Sequence, residues 1–176
     1  MKLQDVLKKQ GACNEARVWV KNLSPEEAYA TCERGDWLLW MHGALYPDFH
    51  THPDQVRKRV LVAGLAANLV RNKMTDERSI AAVDAAIAFG MGVIGIDELN
   101  EAANAACVAA DAAAAAASTD DACAAAYAAK SAAYAAKAAK AARAAVYVGD
   151  EAKSADIFRA HITLDEMLNQ LKQPNQ

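Results

Sequence analysis

Residues 122–145 read ACAAAYAAKSAAYAAKAAKAARAA, and sixteen of these twenty-four are alanine. Alanine is the best helix former, because its side chain loses no rotamer entropy and hides no polar group. It also contributes little apolar area. Such a helix is therefore stable mainly where a neighbour approaches backbone to backbone. On a helical wheel Ala124, Ala128, Ala135, Ala139 and Ala142 gather on one side, and Tyr127, Lys130, Tyr134 and Lys137 on the other. The tract predicts a helix from about residue 120 to Val148, roughly 45 Å long at 1.5 Å per residue, with Gly149 closing it.

Working outward, helix signals recur and alternating strand patterns are nearly absent. A first helix is predicted over about 2–10, stopped by Gly11, and a second over about 14–21. Ser24-Pro25-Glu26-Glu27 reads as a capping box with proline in the first turn. That helix is expected to run to Gly35, with Asp36 capping the next one up to Pro47. YPDFHTHPD is the clearest loop. A helix over about 54–72 is expected to face the core through Val56, Val60, Leu61, Leu65 and Leu69. Thr75-Asp76-Glu77 starts another, ended by the glycine cluster FGMGVIG, after which Asp97 is read as the cap of a helix to about Ala117. Elements over about 150–160 and 163–172 follow, with Thr163 as cap and Glu166 three residues on. The expected architecture is all-α: one domain over 1–176, a compact multi-helix bundle with alanine-rich, closely packed long helices. It divides into 1–75 with the CERGDW corner, the alanine-rich 76–149, and 150–176.

Composition excludes several classes. No run approaches the ~18 apolar residues of a membrane span, and MKLQDVLKKQ lacks the apolar core of a signal peptide. A soluble, cytosolic protein is expected. Cys13, Cys32, Cys107 and Cys123 form no CxxC pair and read as buried free thiols. His50 and His52 sit in a loop, and His42 and His161 stand alone, so no metal site is expected. Net charge is −3, unevenly spread. Residues 79–129 hold seven acids and no lysine or arginine, whereas 122–149 hold Lys130, Lys137, Lys140 and Arg143 and no acid. Either two helices attract one another, or a basic face meets an anionic partner.

Gly90-Met91-Gly92-Val93-Ile94-Gly95 matches the letters of a dinucleotide-binding loop, but helical patterns flank it where a strand is required. It reads as a hinge between helices. Tyr127, Lys130, Tyr134 and Lys137 interleave aromatic and basic groups. That pattern fits tyrosines packed on a neighbouring helix, a protein-binding face, or stacking on bases with phosphate contacts. No nucleophile elbow, Cys–His pairing or metal-ligand spacing is present, so no catalytic residue, metal or cofactor is assigned.

The stretch Cys32-Glu33-Arg34-Gly35-Asp36-Trp37-Leu38-Leu39-Trp40 closely resembles a signature of an immunity protein family of bacteria and phages, the Imm5-like family. The likeness continues through Pro25-Glu26-Glu27-Ala28, through Arg57-Lys58-Arg59-Val60-Leu61-Val62-Ala63 and the alanine tract, and into the closing Ser154-Ala155-Asp156-Ile157-Phe158-Arg159. The chain departs from the pattern in its glycine cluster and at Ser154, where the closing motif carries glutamine. The resemblance implies a small non-enzymatic protein that neutralises a partner protein, a toxin or a host defence effector, by occlusion. The alternative is a phage-type anti-defence protein binding nucleic acid or a nucleotide signal through the Tyr/Lys face. A homodimer is compatible with alanine-faced helices. The expected binding residues are Arg34, Asp36, Trp37, Tyr127, Lys130, Tyr134 and Lys137. Within the signature, Gly35 is expected to turn the chain in a left-handed conformation, Trp37 and Trp40 to anchor the corner in the core, and Arg34 to pair with Asp36 or Asp156.

Overall fold

The computed structural model describes residues 3–46, 50–116 and 151–172. Among them are nine α-helices and no strand, so the all-α expectation holds. In chain order these are α1 (Leu3–Lys9), α2 (Asn14–Trp19), α3 (Pro25–Thr31), α4 (Gly35–Leu45), α5 (Pro53–Asn68), α6 (Glu77–Gly90), α7 (Ile96–Ala116), α8 (Glu151–His161) and α9 (Leu164–Lys172). Short 3-10 turns extend α2 at Val20–Asn22 and follow α5 at Arg71–Lys73. The long helix predicted from about 120 to Val148 lies outside the described residues, and with it Tyr127, Lys130, Tyr134 and Lys137.

Local chemistry explains most of the boundaries. Ser24 accepts from the Glu27 backbone N–H while the Ser24 N–H donates to Glu27 Oε2, so the capping box is complete and Pro25 fills the first turn. Thr163 and Glu166 make the same reciprocal pair before α9. Asp76 accepts from Arg78 N and starts α6. Gly92, at φ 78°, ends α6: the Val93 N–H donates to Ala88 O and the Gly92 N–H to Phe89 O. Those two bonds define a Schellman motif, and Gly11, at φ 79°, closes α1 in the same way. Arg57 of α5 adds a cation to the α6 terminus. It donates to Phe89 O at 2.6 Å and lies over the Phe89 ring. The glycine cluster is thus a helix stop braced by an arginine.

Two apolar clusters form the core, with α5 between them. On one side Val56, Val60, Ala63 and Ala67 meet Ala82, Val83, Ala86 and Phe89 of α6 and Leu99, Ala103 and Ala106 of α7. On the other Val62 joins Leu38, Leu39 and Leu45 of α4, Ala155, Phe158 and Ile162 around α8, and the buried residues of α1 and α3. This placement corrects the predicted face of α5. Leu61 and Leu65 are only partly buried and Leu69 is exposed, because the small residues take the close contacts. Gly64 lies against Ala86 and Ile87, and a Cβ on Gly90 would sit 2.4 Å from Leu61 Cβ. Close approach through methyl-sized groups is observed between α5, α6 and α7, whereas the alanine tract for which it is expected lies outside the described residues.

Four boundaries differ from expectation, the first being that α5 ends at Asn68 rather than near residue 72. Helix α3 ends at Thr31, and an extended link, Cys32–Arg34, leads into α4. Gly35 therefore opens α4, without a positive φ, and Arg34 rather than Asp36 stands at the cap position. Likewise α7 begins at Ile96, one residue before Asp97, and the Glu98 carboxylate accepts from the Gly95 N–H. Asp36 and Asp97 both lie in a first turn, where a carboxylate favours the helix without capping it by side chain.

Candidate functional site

The requirement for glycine at position 35 is steric. A Cβ there would lie 2.6 Å from Ser154 Cβ and 2.7 Å from the Ser154 carbonyl carbon. The start of α4 is pressed directly onto the backbone of α8. Arg159, further along α8, donates to Tyr29 O at 3.3 Å and Cys32 O at 2.8 Å, and pairs with Asp156 at 2.6 Å. It takes up carbonyls at the end of α3, as a cation near a helix C-terminus does. The Tyr29 hydroxyl donates back to Ile162 O. The CERGDW stretch and the SADIFR stretch, 118 residues apart at Asp36 and Ser154, are thus two halves of one corner. Their pairing could not be read from either stretch alone.

Inside the corner Arg34 grips Asp36 in bidentate fashion, Nε to Oδ1 and Nη2 to Oδ2, both at 2.9 Å. Asp36 is only 5% exposed, so the guanidinium neutralises a carboxylate that would otherwise be costly to bury. The Arg34 guanidinium also lies over the Trp37 ring, 4.7 Å from its centroid, and Glu15 Oε1 of α2 stands 3.9 Å away. The Cys32 thiol donates to Arg34 O at 3.4 Å. Burial pushes that thiol above its ordinary pKa, so it stays protonated and unreactive.

Of the two tryptophans expected to anchor the corner in the core, Trp37 does so in part and Trp40 does not. Leu38, Leu39 and Met41 fill the core, whereas Trp37 is half-buried and Trp40 is 36% exposed. Trp37 packs against the core cluster of α4 and α8, as expected, and also on Trp19 of α2, with ring centroids 5.8 Å apart and planes tilted by 60°. Trp19 is also 36% exposed, and Val18 beside it 61%. The cause is registry: Gly35 locks the first turn of α4 against α8, which points positions 38, 39, 41 and 42 inward, leaves 37 at the rim of the core and turns 40 outward. Trp19 and Trp37 therefore meet at this surface, and Trp40 is exposed one turn further along α4. Glu15, Trp19, Thr31, Cys32, Glu33, Arg34 and Trp37 line an open cleft of about 370 Å³. Sequence reasoning missed Trp19 and Glu15. Their signal, an exposed apolar pair beside a carboxylate on a short helix, has no spacing relation to CERGDW.

Behind this face a polar chain ties α4 to α5 and α9. His42, fully buried, is bonded through Nε2 to Gln55 Oε1 at 3.1 Å. Gln55 Nε2 donates to Glu166 Oε1, which also receives Lys58 Nζ, and the Tyr46 hydroxyl donates to Glu166 O at 2.5 Å. With Gln55 turned to donate toward Glu166, its oxygen must accept, so His42 carries its proton on Nε2. Its Nδ1 finds no partner among the described residues. Burial above all holds the His42 pKa down at about 4, with the Arg59 charge acting in the same direction. Burial would raise Glu166, but Lys58, the Thr163 N–H and Gln55 outweigh it and set the carboxyl at about 2. His42, read from sequence as an isolated histidine, is a core residue.

Among the described cysteines Cys32 is buried as expected, Cys107 is intermediate and Cys13 is exposed. Among the described residues no group of His, Cys, Asp or Glu is arranged to hold a metal ion, and no helix is long and apolar enough to cross a membrane. Of the expected binding residues, the structure brings Arg34, Asp36 and Trp37 together. No family model, no curated protein and no solved structure matches the chain.

Proposed function

We propose that this protein is a small helical binding protein that neutralises a partner protein by covering it, in the manner of an immunity protein or a phage-encoded inhibitor of a host defence effector. The observation that carries this reading is the partly open Trp19–Trp37 pair beside the α4–α8 corner, with Trp40 exposed one turn further along α4. Tryptophan contributes disproportionately to binding at interface centres, and a preorganised anchor avoids the entropic cost of ordering it on association. The resemblance of CERGDW and SADIFR to the immunity family adds support, since both stretches build this same corner. A protonated thiol and a doubly engaged arginine offer binding groups rather than a nucleophile or a base.

Arginine chemistry lends this reading support, since six of the seven described arginines, all but Arg17, are engaged within the chain. Arg34, Arg71, Arg78 and Arg159 each face a carboxylate of this chain, and Arg57 and Arg59 donate to backbone carbonyls. The test is capture from the native host by the wild-type chain and by a Trp19→Ala/Trp40→Ala variant, both exposed positions, followed by assay of the captured protein. The reading predicts one captured species, lost with the variant, whose activity is suppressed at one-to-one stoichiometry. A captured protein that remains fully active, or capture indifferent to the two tryptophans, refutes it.

A further inference from the structure

We infer that the cleft between α2 and the α3–α4 link receives a cationic side chain of the partner, an arginine or a lysine, seated between Glu15 and Glu33 against Trp19. The inference rests on the binding reading above and names the chemistry of its anchor. Charge is the first argument. Arg34 forms a bidentate pair with Asp36 and a looser ion pair with Glu15, so one guanidinium stands among three carboxylates and the lining keeps a net negative charge at Glu15 and Glu33. Both are exposed, and Glu15 lies 3.9 Å from the nearest Arg34 nitrogen, too far for a strong hydrogen bond. The cleft is therefore anionic although an arginine lines it.

The second argument is the aromatic wall. The Arg34 guanidinium already lies over Trp37 at 4.7 Å. The tilted packing of Trp19 on Trp37 leaves Trp19 partly open to solvent beside Glu15. An indole next to two carboxylates attracts a guanidinium or ammonium by its ring quadrupole and by direct charge pairing together. The third argument separates a macromolecule from a small cation. Val18, next to Trp19, and Trp40, one turn beyond Trp37 on α4, are 61% and 36% exposed, and a small ion would leave them uncovered. A net charge of −3 steers the chain toward a basic partner surface in the same sense.

The experiment is a titration of the full chain, followed by its own tryptophan fluorescence, which reports on this corner because Trp19 and Trp37 meet there and Trp40 lies one turn further along α4. The probes are the capped tripeptides Gly-Arg-Gly, Gly-citrulline-Gly and Gly-Glu-Gly. Citrulline keeps the shape of arginine and removes its charge. The expected result is a saturable change with the arginine peptide alone, weakened about tenfold in the Glu15→Gln/Glu33→Gln variant, as two exposed carboxylates warrant. No saturable change with arginine, an equal response to citrulline, or an unaltered response in the double variant each overturns the inference. Preference for the glutamate peptide overturns it too, and makes Arg34 the anchor. Partner capture that needs Trp19 and Trp40 but survives the double glutamine variant sinks this inference while leaving the binding reading intact.

Discussion

Replacing Gly35 by alanine adds one methyl group at the tightest point of the corner. The new Cβ would lie 2.6 Å from Ser154 Cβ, about 0.8 Å inside the 3.4 Å at which ordinary contact begins. Two of the three atoms it meets, the Ser154 carbonyl carbon and the Ala155 nitrogen, belong to the backbone of α8 and cannot rotate aside. Helix α8 would have to retreat, and Phe158 and the Arg159 bonds to Tyr29 and Cys32 move with it. Overpacking of this kind costs about 1–3 kcal/mol. Alanine returns at most about 1 kcal/mol of helix propensity, and less than that in a first turn. We therefore expect a net loss of about 2 kcal/mol, which for a chain of this size lowers Tm by about 4–8 °C. Thermal and urea unfolding followed by helix circular dichroism measure it directly. Gly35→Asn discriminates the cause, because a left-handed glycine tolerates asparagine better than alanine, whereas a crowded one tolerates it worse. A Gly35→Ala protein as stable as wild type, or an asparagine variant more stable than the alanine one, would refute the steric account.

Acid should weaken the fold in two stages. His42 takes a proton more readily when unfolded, near 6.5, than when folded, near 4, so its contribution is complete above about pH 6.5 and lost as pH falls toward 4. That loss is about 3 kcal/mol, and His42→Leu should flatten the stability profile in this window. Glu166 contributes above about 4.5 and loses its contribution as pH falls toward 2, a step that Glu166→Gln should remove. Gly90→Ala should destabilise at least as much as Gly35→Ala, since its Cβ would meet Leu61 at 2.4 Å; equilibrium unfolding of the two variants decides it. Arg34→Met should cost about 2 kcal/mol by leaving the Asp36 carboxylate buried without its partner, and Arg34→Lys should restore part of this in the same assay.

Much of the fold was legible because local signals agreed with the global arrangement. Ser24, Gly11, Gly92 and Thr163 each mark a helix end by chemistry confined to four or five residues. The site was legible only in part. Arg34 and Asp36, two residues apart, find one another locally, and theirs is one of the two pairings expected for Arg34. What Gly35 answers to is Ser154, and what Trp37 packs on is Trp19, neighbours set by tertiary packing that no spacing rule encodes. The same limit misled the reading of α5. Leucines are the natural choice for a buried face, yet where helices nearly touch, alanine and glycine occupy the contact and the leucines move to its flanks. His42 looked isolated because Gln55 and Phe158 lie on other helices, and only the Tyr46 ring, four residues on at the C-cap of its own helix, is local.

Helix α5 has apolar neighbours on both sides, with Val62 turned to one cluster and Val60 and Ala63 to the other. Neither half of the described structure can loosen without uncovering it. The amides from about Val60 to Ala67 should exchange with deuterium only through opening of the entire described core, and at a common rate. Ligation at the tryptophan corner would then be felt as slowed exchange around α6, on the opposite flank, with no displacement of any atom between.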